Sequence, residues 1–247
     1  MHHDVIVVGA GIAGLALARQ LRAQGDAPVV LERARGVGGR CATRRVEGQP
    51  VDHGVAYLHG RSERFRSELG ALGEEPKVEG WPRSREGNGL PCQPESFEAG
   101  GVRIAPRAGV SRFAKHLARG VDIRLQAEIV ALRLVPQVGP VVGWDLALAS
   151  GETLRARTVV LTMPPPSAIR LLRDLAPLPE AVAALMPLLD LVRTLPCLTV
   201  IARYPEGVAP PAWEASFPAA SPAIHTILHD SSKRAGHPRL TLVVQAR

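Results

Sequence analysis

Residues 4–8, DVIVV, carry no polar side chain after Asp4, which reads as a strand covered on both faces, as in the parallel sheets of α/β domains. The run passes through GAGIAG (9–14) into LALARQLRAQG (15–25), where apolar positions recur at helical spacing until Gly25 ends the pattern. A second buried strand, APVVLE (27–32), closes on Glu32. Strand, glycine turn, helix and strand form the opening unit of a doubly wound sheet.

Further along, SERFRSELGALG (62–73) predicts a short helix capped by Ser62, and 73–100 is rich in Gly, Pro and Glu with little periodicity, so a long loop is expected. GVRIAP (101–106) predicts a strand, and GVSRFAKHLARG (109–120) an amphipathic helix with Val110, Phe113, Ala114 and Leu117 on one face. VDIRLQAEIVALRLV (121–135) and VVGWDLALASGETLRARTVVLTM (141–163) alternate or run apolar around an SGE turn, the pattern of an antiparallel meander. Two helical patterns, interrupted by APLP (176–179), occupy 165–189, and three strands follow at 194–204, 223–230 and 240–246. The expected architecture is α/β: a Rossmann-like domain with an interleaved second domain built on a mostly antiparallel sheet. The expected boundaries are 1–70 with 101–164 for the first domain and 71–100 with 165–247 for the second.

The glycines of the first turn fall at Gly9, Gly11 and Gly14. That spacing supplies a tight turn, close backbone approach to a pyrophosphate and close packing of helix on strand. Unpaired N–H groups at the helix N-terminus add attraction for an anion. Glu32, 23 positions after Gly9, has the acceptors for ribose hydroxyls and repels a 2′-phosphate. A second cluster follows in GVGGRCATRR (36–45), where Gly38 and Gly39 admit backbone N–H groups to a long dinucleotide and Arg40 offsets pyrophosphate charge. Two glycine clusters around one acidic anchor point to FAD.

Composition excludes more than it selects. At 247 residues, 46% hydrophobic and 21% charged, the chain has ordinary globular composition, and no apolar run approaches the ~18 residues of a membrane span. The formal charge of +7 is spread over scattered arginines, only Lys77, Lys115 and Lys233 are lysines, and aromatic residues are 4%, so no nucleic-acid stripe is expected. Cys41, Cys92 and Cys197 have no ligand or disulfide spacing, and no secretory leader is readable, so a reducing, cytoplasmic setting is expected. No metal constellation is expected, with His2 and His3 read as terminal and solvated.

Gly9, Gly11, Gly14, Glu32, Gly38, Gly39, Arg40 and Thr43 together resemble the N-terminal signature of the flavoproteins grouped with amine oxidases and phytoene desaturases. VDHGVAYLHG (51–60) is similar to that family's Asp-x-Gly segment beside the flavin ring, with Asp52 and Gly54 in the matching positions. ARTVVLTMPPP (156–166) resembles the return from the FAD domain, and its arrival at Met163 is early enough to resemble the renalase-like branch. LHDSSKRAGHPRLTLVVQA (228–246) resembles a segment of bacterial renalase-like proteins. The resemblance implies a glutathione-reductase-like FAD domain, with Arg33, Ile129, Val130 and Met163 as further cofactor residues. It also implies an oxidase that takes hydride from a small donor, a dihydronicotinamide isomer of NAD(P)H, and passes the electrons to O2 with release of H2O2. Tyr57, His59, His225 and His229 are the candidate catalytic residues, and Asp230 and Ser231 share their segment.

An amine as donor is the alternative in the same fold. A third expectation is an incomplete, non-catalytic nucleotide-binding chain, because the resembling family continues past the equivalent of Arg247 with a further flavin-binding segment. Weakened flavin retention by the 247 residues is expected on that reading. Neither a nucleic-acid nor a membrane partner is expected, and the oligomeric state is open.

Overall fold

The computed structural model describes residues 2–135, 143–234 and 236–247. Its contacts divide the chain into two compact units, Met1–Gly39 with Leu117–Leu195 and Arg40–His116 with Pro196–Arg247. This geometric grouping puts 40–70 and 101–116 with the C-terminal strands, whereas the sequence reading puts them with the nucleotide-binding half.

The first unit is built on a six-stranded sheet. Four parallel strands run in the order Thr153–Leu161, His2–Val8, Val29–Glu32 and Asp122–Leu125, and Gly143–Leu148 and Ile129–Val135 extend it antiparallel beyond Thr153–Leu161. The expected meander is therefore present as an edge on a parallel sheet, with positions 141 and 142 of its second segment outside the described residues. The first strand starts at His2 and pairs His3 with Ala156, so His3 lies within the sheet and is not a solvated terminus. Val29, Val30, Leu31 and Glu32 are all buried, as a strand covered on both faces requires. Ile6, Leu31, Leu146 and Leu154 meet in the core on one side of this sheet, with Leu171 and Leu175 of the helix Pro165–Arg173 and its C-terminal end against them. Burial of each such side chain contributes about 1.5–3 kcal/mol.

The second unit carries a five-stranded sheet in the order Thr199–Glu206, Arg239–Ala246, Ile224–His229, Ala215–Ser216, Arg85–Glu86. All pairings are antiparallel except the last. The segment 73–100 is less irregular than its composition predicts, because Lys77–Glu79 pairs with Arg103–Pro106 and Pro94–Phe97 forms a short 3-10 helix. The helix Glu63–Gly70 is capped as expected, with the Ser62 hydroxyl accepting from the Phe65 N–H at 3.2 Å. The apolar core of this unit gathers Val51, Val78, Trp81, Phe217, Leu228 and Val243, with Tyr57 packed against it.

Candidate functional site

Gly9 ends the first strand at φ 107°, a left-handed backbone that disfavours any side chain. Its N–H donates to the Leu31 carbonyl at 2.8 Å, tying the turn to the neighbouring strand. Gly14 permits the close approach on the other side: a Cβ there would lie 2.0 Å from the Gly9 carbonyl oxygen and 2.7 Å from the Thr162 hydroxyl. Gly11 differs from both. It is the N-cap of the helix Ile12–Ala23 in ordinary extended geometry, and a Cβ on it would meet no heavy atom within 4 Å. The helix start has no side-chain cap and no acidic residue in its first turn, which leaves its N–H groups available to an anion.

The second glycine cluster lies against the first. The Gly38 N–H donates to the Ala10 carbonyl at 2.8 Å, Gly11 and Gly38 form a parallel bridge, and a Cβ at Gly39 would stand 3.6 Å from the Gly11 Cα. Gly38 and Gly39 hold φ of 118° and 55°, so both depend on the missing side chain. The two clusters form one continuous backbone cradle.

Glu32 is buried at the end of its strand, and its carboxylate binds both sides of that cradle. One oxygen accepts from the Ala10 N–H and the other from the Ala34 N–H, each at 2.8 Å. Glu32, expected at the ribose, also fixes the turn, with acceptor capacity on each oxygen left for ligand hydroxyls. Glu32→Ala is expected to lower FAD affinity roughly 10- to 100-fold and stability by about 2 kcal/mol, since the buried Ala10 N–H and the part-buried Ala34 N–H lose a charged acceptor. Flavin fluorescence titration and urea unfolding measure the two effects separately.

Thr162 was not singled out from the sequence, yet its hydroxyl lies 2.9 Å from the Val8 carbonyl and 3.1 Å from that of Gly9, behind the turn. The only sequence signal is its place at the end of the apolar run 159–161. Met163 packs against the core of the first unit, as does Ile129, while Val130 beside it is 52% exposed. Arg33 and Arg40 are exposed.

Asp52 has a structural role in addition to the cofactor contact its position in the Asp-x-Gly segment suggests. Its carboxylate is fully buried and consumed by the protein itself. One oxygen accepts from the Thr43 hydroxyl at 2.7 Å and the Val110 N–H at 3.0 Å, and the other from Lys233 at 2.9 Å and Arg234 at 3.3 Å. Asp230 completes a four-charge node, taking Lys233 at 2.8 Å and Arg234 at 2.6 Å. Burial alone would push the Asp52 carboxyl up, but Lys233, the Thr43 hydroxyl and Arg234 together hold it below the usual carboxylate range. Gly54 is explained by a close backbone contact of its own, since a Cβ there would lie 2.4 Å from the Arg40 carbonyl.

The four candidate catalytic residues all lie in the second unit. The Tyr57 hydroxyl pairs with Ser96 at 3.0 Å, and burial raises its pKa above the ordinary phenol value. His59 Nδ1 lies 2.9 Å from the Val102 carbonyl. His225 Nδ1 lies 2.6 Å from the Thr226 hydroxyl and 3.6 Å from Cys92 Sγ. His229 is buried, and burial lowers its pKa, so it stays neutral near pH 7. It adjoins Leu228, which joins the core that Tyr57 packs against.

Residues 7–70 match the NAD(P)-binding Rossmann-like domain, and residues 79–236 match the flavin containing amine oxidoreductase family. A Mycobacterium tuberculosis protein carrying the name flavin-containing monoamine oxidase AofH is 53% identical over 55 residues, 22% of this chain and 12% of that protein. Putrescine oxidase of Kocuria rosea is 38% identical over 95 residues, 38% of this chain and 19% of its own length. The chain thus spans a small part of the curated relatives it matches. A solved putrescine oxidase double mutant superposes with a TM-score of 0.70 at 18% identity, covering 100% of this chain and 76% of that one, which shows a shared fold. With more than half of its length matched, the chain belongs to the flavin containing amine oxidoreductase family, with FAD as its cofactor.

Proposed function

We propose that this chain is the FAD-dependent part of an oxidoreductase that oxidises a small-molecule donor and hands the electrons to O2. The observation that carries the reading is the Gly38 N–H bond to the Ala10 carbonyl, which joins two glycine clusters into one cradle long enough for a dinucleotide. When bound, FAD supplies the two-electron acceptor that no side chain offers. The chain's own contributions are the free N–H groups of the helix Ile12–Ala23 toward the phosphates, Glu32 toward the ribose, and Arg33 and Arg40 toward remaining negative charge. Residues 1–70 with 101–164 serve as the FAD-binding domain and 71–100 with 165–247 as the substrate domain, the former of the glutathione-reductase-like kind.

An amine is the first choice of donor, because relatives such as putrescine oxidase carry that chemistry in their names. Tyr57, His59, His225 and His229 are the substrate-side residues of this proposal, with Tyr57 and His229 acting in their neutral forms. Hydride removal then depends on placement more than on a strong base. The renalase-like reading, with a dihydronicotinamide isomer as donor, rests on the early arrival at Met163 and on the segment 228–246, whose core is DSSK at 230–233. Asp230 and Lys233 are spent on the buried node, so this segment speaks for a shared fold more than for a shared donor.

The test is anaerobic reduction of the FAD-loaded chain, followed at the flavin absorbance band. Bleaching by putrescine and not by dihydronicotinamide isomers is expected. The reverse result replaces the amine reading with the renalase-like one. Bleaching by neither donor, with FAD bound, overturns both.

A further inference from the structure

The second unit contains a shallow cleft of about 370 Å³, lined by Gln49, Pro50, Pro76, Arg107, Ala108 and Arg234. That volume lies within the range of small-molecule sites. Among the described residues its charged lining is cationic, Arg107 and Arg234. Arg234 is held rigidly: Nε donates to the Arg107 carbonyl at 3.0 Å, Nη1 to the Asp230 carbonyl and carboxylate, and Nη2 to Asp52 at 3.3 Å. Five N–H groups serve a guanidinium, so one Nη2 proton remains after these four bonds. Within the node Asp52 and Asp230 balance Lys233 and Arg234, which leaves the charge of Arg107 uncompensated among the described residues at the cleft.

Arg107 is half-buried, and its backbone is pinned by its N–H to the Pro76 carbonyl at 2.8 Å. Among the described residues no carboxylate or hydrogen-bond acceptor meets its guanidinium. A half-buried cation loses hydration without a protein partner in return. Its planar fork matches a two-oxygen anion, and the Gln49 amide, which also lines the cleft, offers a neutral donor.

We propose that this cleft is a binding site for a small oxyanion, a carboxylate- or phosphate-bearing molecule, with Arg107 as the principal recognition group and Arg234 as its fixed neighbour. The inference does not depend on the FAD reading, because no residue of the glycine cradle takes part.

Calorimetric titration of the full chain with sodium phosphate, and separately with sodium malonate, each against sodium chloride at matched ionic strength, tests it. Saturable binding of one or both anions is expected, phosphate alone marking a phosphoryl ligand and malonate alone a carboxylate. Arg107→Gln is expected to weaken that binding at least tenfold and Gln49→Ala severalfold, while FAD titration and thermal melting stay as in the parent chain. Because the Arg107 guanidinium holds no partner among the described residues, its replacement is expected to leave the fold intact, and circular dichroism checks that. No saturable heat above the chloride control overturns the proposal. So does equal binding by Arg107→Gln, the result expected if the anion binds at the helix N-terminus of the first unit.

Discussion

Gly11→Leu is expected to leave the protein folded and to reduce FAD affinity at least 100-fold, or about 2.7 kcal/mol. Two glycines three positions apart differ in what an added side chain would meet. At Gly11 the backbone is ordinary, φ −74° and ψ 177°, and an added Cβ meets nothing within 4 Å. The folded protein therefore accepts the side chain, at the expense of about 1 kcal/mol for a poorer N-cap. That same open space is where the pyrophosphate must approach the helix N-terminus, so the leucine side chain displaces the ligand. At Gly14 the balance is inverted. Alanine there gains about 1 kcal/mol of helix propensity, but its Cβ would stand 2.0 Å from the Gly9 carbonyl. The helix must then shift off its strand, and a stability loss of about 1–3 kcal/mol is expected. Thermal melting and flavin fluorescence titration of both variants separate these outcomes. Wild-type FAD affinity in a folded Gly11→Leu would mean that the dinucleotide lies elsewhere.

The same contrast explains what the sequence makes legible. Glycine spacing encodes local geometry, positive φ and close approach, within a window of about thirty residues, so Gly9, Gly14, Gly38 and Glu32 are readable before any coordinates. Helix faces are local too: Val110, Phe113, Ala114 and Leu117 are all buried as their spacing predicts. Asp52 is different, because its partners Lys233 and Arg234 lie 181 and 182 positions away. No periodicity links 52 to 233, so a buried ion node and a cofactor contact look alike in sequence. Thr162 is obscured for a related reason, since its hydroxyl serves a turn 153 positions earlier. The short strands within 73–100 are set by pairing with Arg103–Pro106 and Ala215–Ser216, not by their own residues.

Lys233→Met is expected to destabilise the second unit by about 3–5 kcal/mol at pH 7, because it leaves two buried carboxylates facing one guanidinium. Against a total of about 5–15 kcal/mol for a typical domain, that is the largest loss any single substitution named above should produce. Its pH dependence identifies the cause. In the wild type the Asp52 carboxyl is held below its ordinary value, so the node's contribution is intact above an unfolded value near ~3.9 and drains away only as pH falls further. Removing Lys233 takes away the leading charge that lowers this pKa, while burial, which raises it, remains. The folded-state pKa of Asp52 then rises, and protonation in the folded chain relieves the unpaired charge as pH falls. The stability gap between wild type and variant should therefore narrow between pH 7 and pH 4.5. Urea unfolding midpoints of both proteins across that interval test this. A gap of constant size would mean that Lys233 acts by packing over the Trp81 ring, 4.4 Å from its ammonium, and not through the charge of Asp52.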